Sequence, residues 1–156
     1  MACIAPPPPQ VSAIIQVGAG PTYPLTYLPA DAASANYIDS SGDLDFSCFN
    51  TPITVQFTIQ TAGVFFYQGY GKDSLSFADH AGQPKQPLAP GHHQFPGWLH
   101  HSGTQVLKFT YKNDSNCGVV HGPNSCVQSS YGVYLGNSSG FLTRSDPIIN
   151  NGGNPN

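Results

Sequence analysis

Four histidines stand within ten residues of one another, in Gly91-His-His-Gln-Phe-Pro-Gly-Trp-Leu-His-His-Ser-Gly103. Neutral imidazoles bind zinc, copper or nickel, and a loop folding back at Pro96-Gly97 would bring His92 or His93 towards His100 or His101. Adjacent histidines point in different directions, so one from each pair is the expected maximum. The plainer expectation is a surface loop packed by its aromatics, with solvated or hydrogen-bonded histidines, because His-rich tracts are a compositional cue. A second group, Cys117-Gly-Val-Val-His-Gly-Pro-Asn-Ser-Cys126, spaces two thiols for a disulfide. Closing that loop would stabilise the fold by roughly 2–3 kcal/mol in an oxidising compartment. Cys3 and Cys48 would pair with each other or stay free.

Asp39-Ser-Ser-Gly-Asp-Leu-Asp45 places oxygens at alternate positions, with Asp39, Asp43 and Asp45 as candidate calcium ligands. The closing Glu of an EF-hand is missing, and a turn held by side-chain to backbone hydrogen bonds is the stronger expectation. Trp98, Phe95, Tyr67 and Tyr70 are candidates for stacking on a glycan or small ligand, with core packing as the competing role for Phe95. Catalytic signatures are missing: there is no Gly-x-Ser-x-Gly, no His-Glu-x-x-His and no phosphate-binding glycine loop. All eight acids are Asp, and none is set as a recognisable catalytic pair. The expectation is a protein that is not an enzyme.

Composition limits partners. Charged residues are 8% of the chain, against about 25% in an ordinary soluble domain. Five basic residues among 156 leave no basic face for nucleic acid or anionic lipid. No apolar run approaches the ~20 residues of a membrane helix, so membrane insertion is not expected. The first residues lack the basic start and apolar core of a secretory signal. Low charge and four cysteines nevertheless favour a secreted or cell-surface protein, with the cytoplasm as the alternative.

The elements that must hold these groups read as strands. Thr, Val, Ile, Tyr and Phe are plentiful, and Gly and Pro together supply 32 residues. Ile53, Val55, Phe57 and Ile59 alternate with polar residues, the pattern of a half-buried strand. Leu107, Phe109 and Tyr111 repeat it, as do Tyr131, Val133 and Leu135. Shorter strands are expected at 14–17, 64–67, 74–77 and 148–149, with one helical turn at most, near 30–35. The sum is an all-β, mainly antiparallel sandwich of about seven or eight strands. Residues 1–20 form a proline-led segment whose Val11–Val17 stretch is expected as an edge strand, of its own sheet or a neighbour's. Residues 21–156 form one domain, interrupted by a long His- and Trp-bearing loop at 79–103.

Tyr131-Gly-Val-Tyr-Leu-Gly and Phe141-Leu-Thr-Arg-Ser-Asp-Pro-Ile-Ile-Asn read as a closing hairpin. Across residues 53–152 the chain resembles small bacterial domains of immunoglobulin-like or cupredoxin-like sandwich fold. Those domains often finish on a Tyr-x-Tyr strand and a final Asp-Pro-x-Ile-x-Asn strand. The resemblance implies a fold and assigns no chemistry. Within it, Cys117-x3-His121 is similar to the copper loop of blue-copper proteins. The axial Met is absent, Gln128 would have to replace it, and the disulfide is the simpler expectation. Three functions follow as expectations: a structural or self-assembling protein that pairs with its own copies, a glycan- or small-ligand-binding module, and a copper- or zinc-binding protein.

Overall fold

The computed structural model describes residues 10–47, 51–69, 73–78, 84–88, 91–92, 94–98, 103–113 and 128–150. Eleven strands form within them: β1 Gln10–Val17, β2 Leu25–Pro29, β3 Leu44–Asp45, β4 Ile53–Ile59, β5 Phe65–Phe66, β6 Leu75–Ala78, β7 Gln86–Pro87, β8 Val106–Tyr111, β9 Gln128–Asn137, β10 Gly140–Ser145 and β11 Ile148–Asn150. One 3-10 turn, Ser34–Asn36, follows the expected helical position. No helix of the described residues is long and apolar enough to cross a membrane.

The strands make a sandwich of two mixed sheets. One sheet has the order β2-β1-β4-β8. The other has the order β3-β11-β9-β6-β7, with β10 and β5 also paired to β9. The count exceeds seven or eight because β2 and the two-residue strands β3 and β7 add to the expected set, whereas β5 falls within the strand expected at 64–67.

Alternation does place the core. Ile53, Val55, Phe57 and Ile59 of β4 are all buried, as are Leu107, Phe109 and Tyr111 of β8. From the other sheet, Tyr131, Val133 and Leu135 of β9 face them at 0% exposure. Phe57 and Tyr131 stack across the interface with ring centroids 6.1 Å apart and planes 6° from parallel. Phe57 also meets Tyr27 edge-on at 5.4 Å and Phe109 at 5.9 Å. Each such pair contributes about 0.5–1.5 kcal/mol beyond the area it buries.

Two expectations change. The Val11–Val17 stretch is not an edge strand. It lies inside its sheet, antiparallel to β2 and parallel to β4, with Val11, Ala13 and Ile15 buried. The Gly/Pro-rich stretch after it folds back as β2 and takes the edge. Pro24 and Pro29, which lack a donor, flank that edge, and the Tyr27 N–H is used by the Ser40 carbonyl at 3.0 Å. The closing hairpin is broken as well. β10 pairs with the far half of β9 and β11 with its near half, along the same side, and Asp146-Pro147 makes the step between them.

Two buried tyrosines hold the Asp39–Asp45 turn. The Tyr131 hydroxyl donates to the Gly42 carbonyl. Gly42, at φ +89°, presses on Tyr27 so closely that a Cβ there would sit 2.6 Å from its ring. The Tyr27 hydroxyl meets the Ser145 hydroxyl. Burial, more than any neighbouring charge, pushes both phenols well above their ordinary value. The unfolded chain therefore releases these protons near pH 10 while the folded chain keeps them, so the stability they contribute is present below pH 10 and is lost above it. Denaturant titrations from about pH 9.5 upward should show unfolding free energy falling by up to ~2.7 kcal/mol per pH unit, two protons at ~1.36 each. Tyr27→Phe should reduce that slope by about half, and a wild-type stability flat to pH 11 would contradict the buried, neutral phenols.

Candidate functional site on the outer face of the central strand

The sequence candidates are placed unequally. Phe95 is 0% exposed and Trp98 3%, so neither presents a face to a ligand. They fill the end of the sandwich. Phe95 packs on Phe77, Phe109 and Tyr111, and the Trp98 indole N–H donates to the Leu88 carbonyl at 3.2 Å. The described residues of the 79–103 stretch thus include the short strand β7 and the core side chains Leu88, Phe95 and Trp98.

His92 stands edge-on to Phe77 and Phe95, with ring centroids at 5.2 and 5.6 Å. Its Nδ1 accepts the Gln94 backbone N–H at 3.1 Å, which puts the proton of the neutral ring on Nε2. A metal-bound histidine instead donates from its second nitrogen, so this geometry does not prepare His92 as a ligand. A shallow cavity of about 240 Å³ lies beside it, lined mainly by Phe77, Leu88, Pro84 and Pro87. His93, His100, His101, Tyr70 and all four cysteines, Cys117 and Cys126 included, lie outside the described residues.

The three aspartates are occupied by backbone. Asp39 accepts from the Ser41 and Asp43 amides, Asp43 from Ile148 and Asp45 from Ser47. These are turn-forming bonds rather than a convergent set. Among the described residues no group of three His, Cys, Asp or Glu side chains gathers to hold a metal.

Tyr67 leads to a different site. Because Tyr131, Val133 and Leu135 point inward, Ser130, Gly132, Tyr134 and Gly136 of β9 point to the outer face. Phe65 and Phe141 pair with Gly136 from either side, so both strands bring aromatics to this point. Tyr67 lies across Gly136, where a Cβ would come within 2.8 Å of its ring and of the Gly140 carbonyl. The missing side chain lets Tyr67 reach over the strand to Phe141, ring centroids 5.8 Å apart. Phe141 also meets Tyr134 at 5.9 Å. Tyr134 is 8% exposed and Tyr67 half-buried, while Phe141 remains 43% exposed. The result is a part-exposed ring that packs, among the described residues, on two others.

Charge adjoins the rings. Arg144 is the register partner of Tyr134, so the two side chains leave neighbouring strands about 5 Å apart. Asp146 takes Lys85 Nζ at 3.0 Å on one oxygen and Arg144 Nε at 3.7 Å on the other. The Lys85 stem runs over Gly132, its Cε 3.2 Å from where a Cβ would be. Nearby on the same face the Ser76 and Ser130 hydroxyls are buried without a hydrogen-bond partner, each costing about 1–3 kcal/mol.

Sequence reasoning missed Phe141, Tyr134, Arg144 and Lys85. The alternation that sent Tyr131, Val133 and Leu135 inward already placed Tyr134 outward; the partners across it depended on strand pairing. No protein-family model, curated protein or solved structure matches this chain. Gly136→Ala should lower unfolding free energy by roughly 1–3 kcal/mol, because both Tyr67 and the Gly140 carbonyl would have to shift. Its near-ultraviolet circular dichroism should change with it. An unchanged denaturation midpoint would mean that Tyr67 does not lie on the strand.

Proposed function

We propose that this protein is a non-enzymatic glycan-binding module whose platform is Phe141, backed by Tyr67 and Tyr134. The observation that carries the reading is the 43% exposure of Phe141 while its ring is packed against two others. A ring fixed by its neighbours loses little freedom when it binds, and its flat face suits the C–H face of a sugar. Arg144, the cross-strand partner of Tyr134, and the Asp146 paired with it supply a donor and an acceptor for hydroxyls. Two of the side chains expected to stack on a ligand, Phe95 and Trp98, are replaced in this reading by Phe141 and Tyr134.

The test is calorimetric titration with neutral and acidic oligosaccharides, comparing the wild type with Phe141→Ser. The variant should lose at least about tenfold in affinity, the loss of a stacking contact worth ~1.4 kcal/mol, with little change in thermal midpoint. Equal binding by the two proteins would refute the platform.

Self-assembly is the second reading, and a different face supports it. Leu28, Ile14, Thr58 and Val106 are successive register partners across β2, β1, β4 and β8. They form an uncharged row on the outer face, with Leu28 38% and Val106 45% exposed. Prolines guard the β2 edge and Lys108 stands in the middle of β8, so association would use the face rather than the edges. Sedimentation would then give an oligomer that Val106→Lys dissociates. A wild type that sediments as a monomer at high concentration would remove this reading.

A further inference from the structure

We infer that the platform selects sugars carrying a carboxylate, such as a hexuronate, and that Arg144 is the residue that recognises it. The inference rests on the reading of Phe141 as a sugar platform and adds a charge to its ligand. Arg144 is the only arginine of the chain, and with Lys85 it places two of the five basic residues on one carboxylate, Asp146. Among the described contacts two cations thus share one anion, on a chain whose net charge is −3. The surroundings do not explain such a concentration as a stabilising device. Arg144 and Asp146 are 57% and 47% exposed, and an ion pair that open to water contributes little.

The geometry of the pair matters more than its charge. Lys85, 16% exposed, already gives Asp146 a close partner at 3.0 Å. Arg144 comes no nearer than 3.7 Å, and its closest atom is Nε. The guanidinium edge formed by the two Nη groups is therefore not spent on Asp146. That planar, two-pronged edge matches a carboxylate, which a lysine ammonium would engage only as a point charge. Arg144 and Tyr134 are direct cross-strand partners, and Tyr134 touches Phe141, so the edge lies one side chain from the stacking ring. A pyranose stacked on Phe141 with a carboxylate on its ring carbon would direct that group across Tyr134 towards Arg144. Asp146 keeps Arg144 on the strand without neutralising it, since Lys85 shares the same carboxylate.

The probes are an oligogalacturonate and its methyl ester, the same sugar with and without the charge, titrated into the whole chain. The acid form should bind about tenfold tighter than the ester or better, an advantage that shrinks as salt rises towards ~1 M. Arg144→Gln should weaken the acid form about tenfold and the ester much less, so that the advantage is lost while the thermal midpoint stays the same, and Phe141→Ser should weaken both ligands. Equal binding of acid and ester by the wild type, or an Arg144→Gln effect that is the same for both, overturns the carboxylate inference and leaves the platform standing. Binding of neither ligand overturns the platform, and the inference with it.

Discussion

Phe57 and Tyr131 lie face to face where the two sheets meet, and most of the molecule is arranged around that contact. Phe57 is the inward residue at the middle of β4, with Tyr27 and Phe109 arriving from the strands on either side of its sheet. Tyr131 is an inward residue of β9, the strand to which β5, β6, β10 and β11 all attach. Stacking these rings sets the distance between the sheets at that point. It also carries a polar demand, since a phenol buried this deeply needs an acceptor. The Gly42 carbonyl supplies it, so the core holds down the Asp39–Asp45 turn. The same burial favours the neutral forms of Tyr27 and Tyr131.

The occupation of both edges of β9 has a consequence on the opposite surface. Residues 129–136 are all buried, so the outward side chains of this strand are covered although no third layer lies over them in the described fold. Cover comes from long side chains: Tyr67 over Gly136 and the Lys85 stem over Gly132. Glycine in a strand interior weakens it and marks a place where something approaches closely. Here the two glycines create the grooves into which an aromatic ring and a lysine stem fit. The surface aromatics and the Lys85–Asp146–Arg144 group thus share one cause, and the exposed face of Phe141 is what remains after Gly136 has been covered.

How far the candidate site could be read from the chain depended on the residue. Tyr67 was legible as an aromatic beside glycines, and its half-buried position keeps it in the site. For Phe95 core packing was already the stronger expectation, whereas Trp98 between glycine and leucine in a Gly/Pro-rich loop read as a ligand platform. Both are buried in the core, Phe95 between Phe77 of one sheet and Phe109 and Tyr111 of the other. Phe141 and Arg144 sat in plain view in the closing hairpin, but nothing local joins them to Tyr67, more than seventy residues earlier. The Asp39–Asp45 turn was readable as a turn from its short polar side chains alone, because its hydrogen bonds are local.

The sequence by itself determined the all-β class and the inward residues of β4, β8 and β9. A period of two is a property of consecutive residues, and it survives whatever the strand pairs with. Which strand lies beside which is decided by contacts between distant segments. Val11, Ala13 and Ile15 alternate equally well for an edge strand or an interior one, and only the return of β2 and the parallel approach of β4 put β1 inside. The breaking of the last hairpin into β10 and β11, the burial of Phe95 and Trp98, and the meeting of Tyr67 with Phe141 over Gly136 are of the same kind. Tertiary structure decided them because an aromatic side chain is core or surface according to what covers it, and the cover is supplied by other parts of the chain.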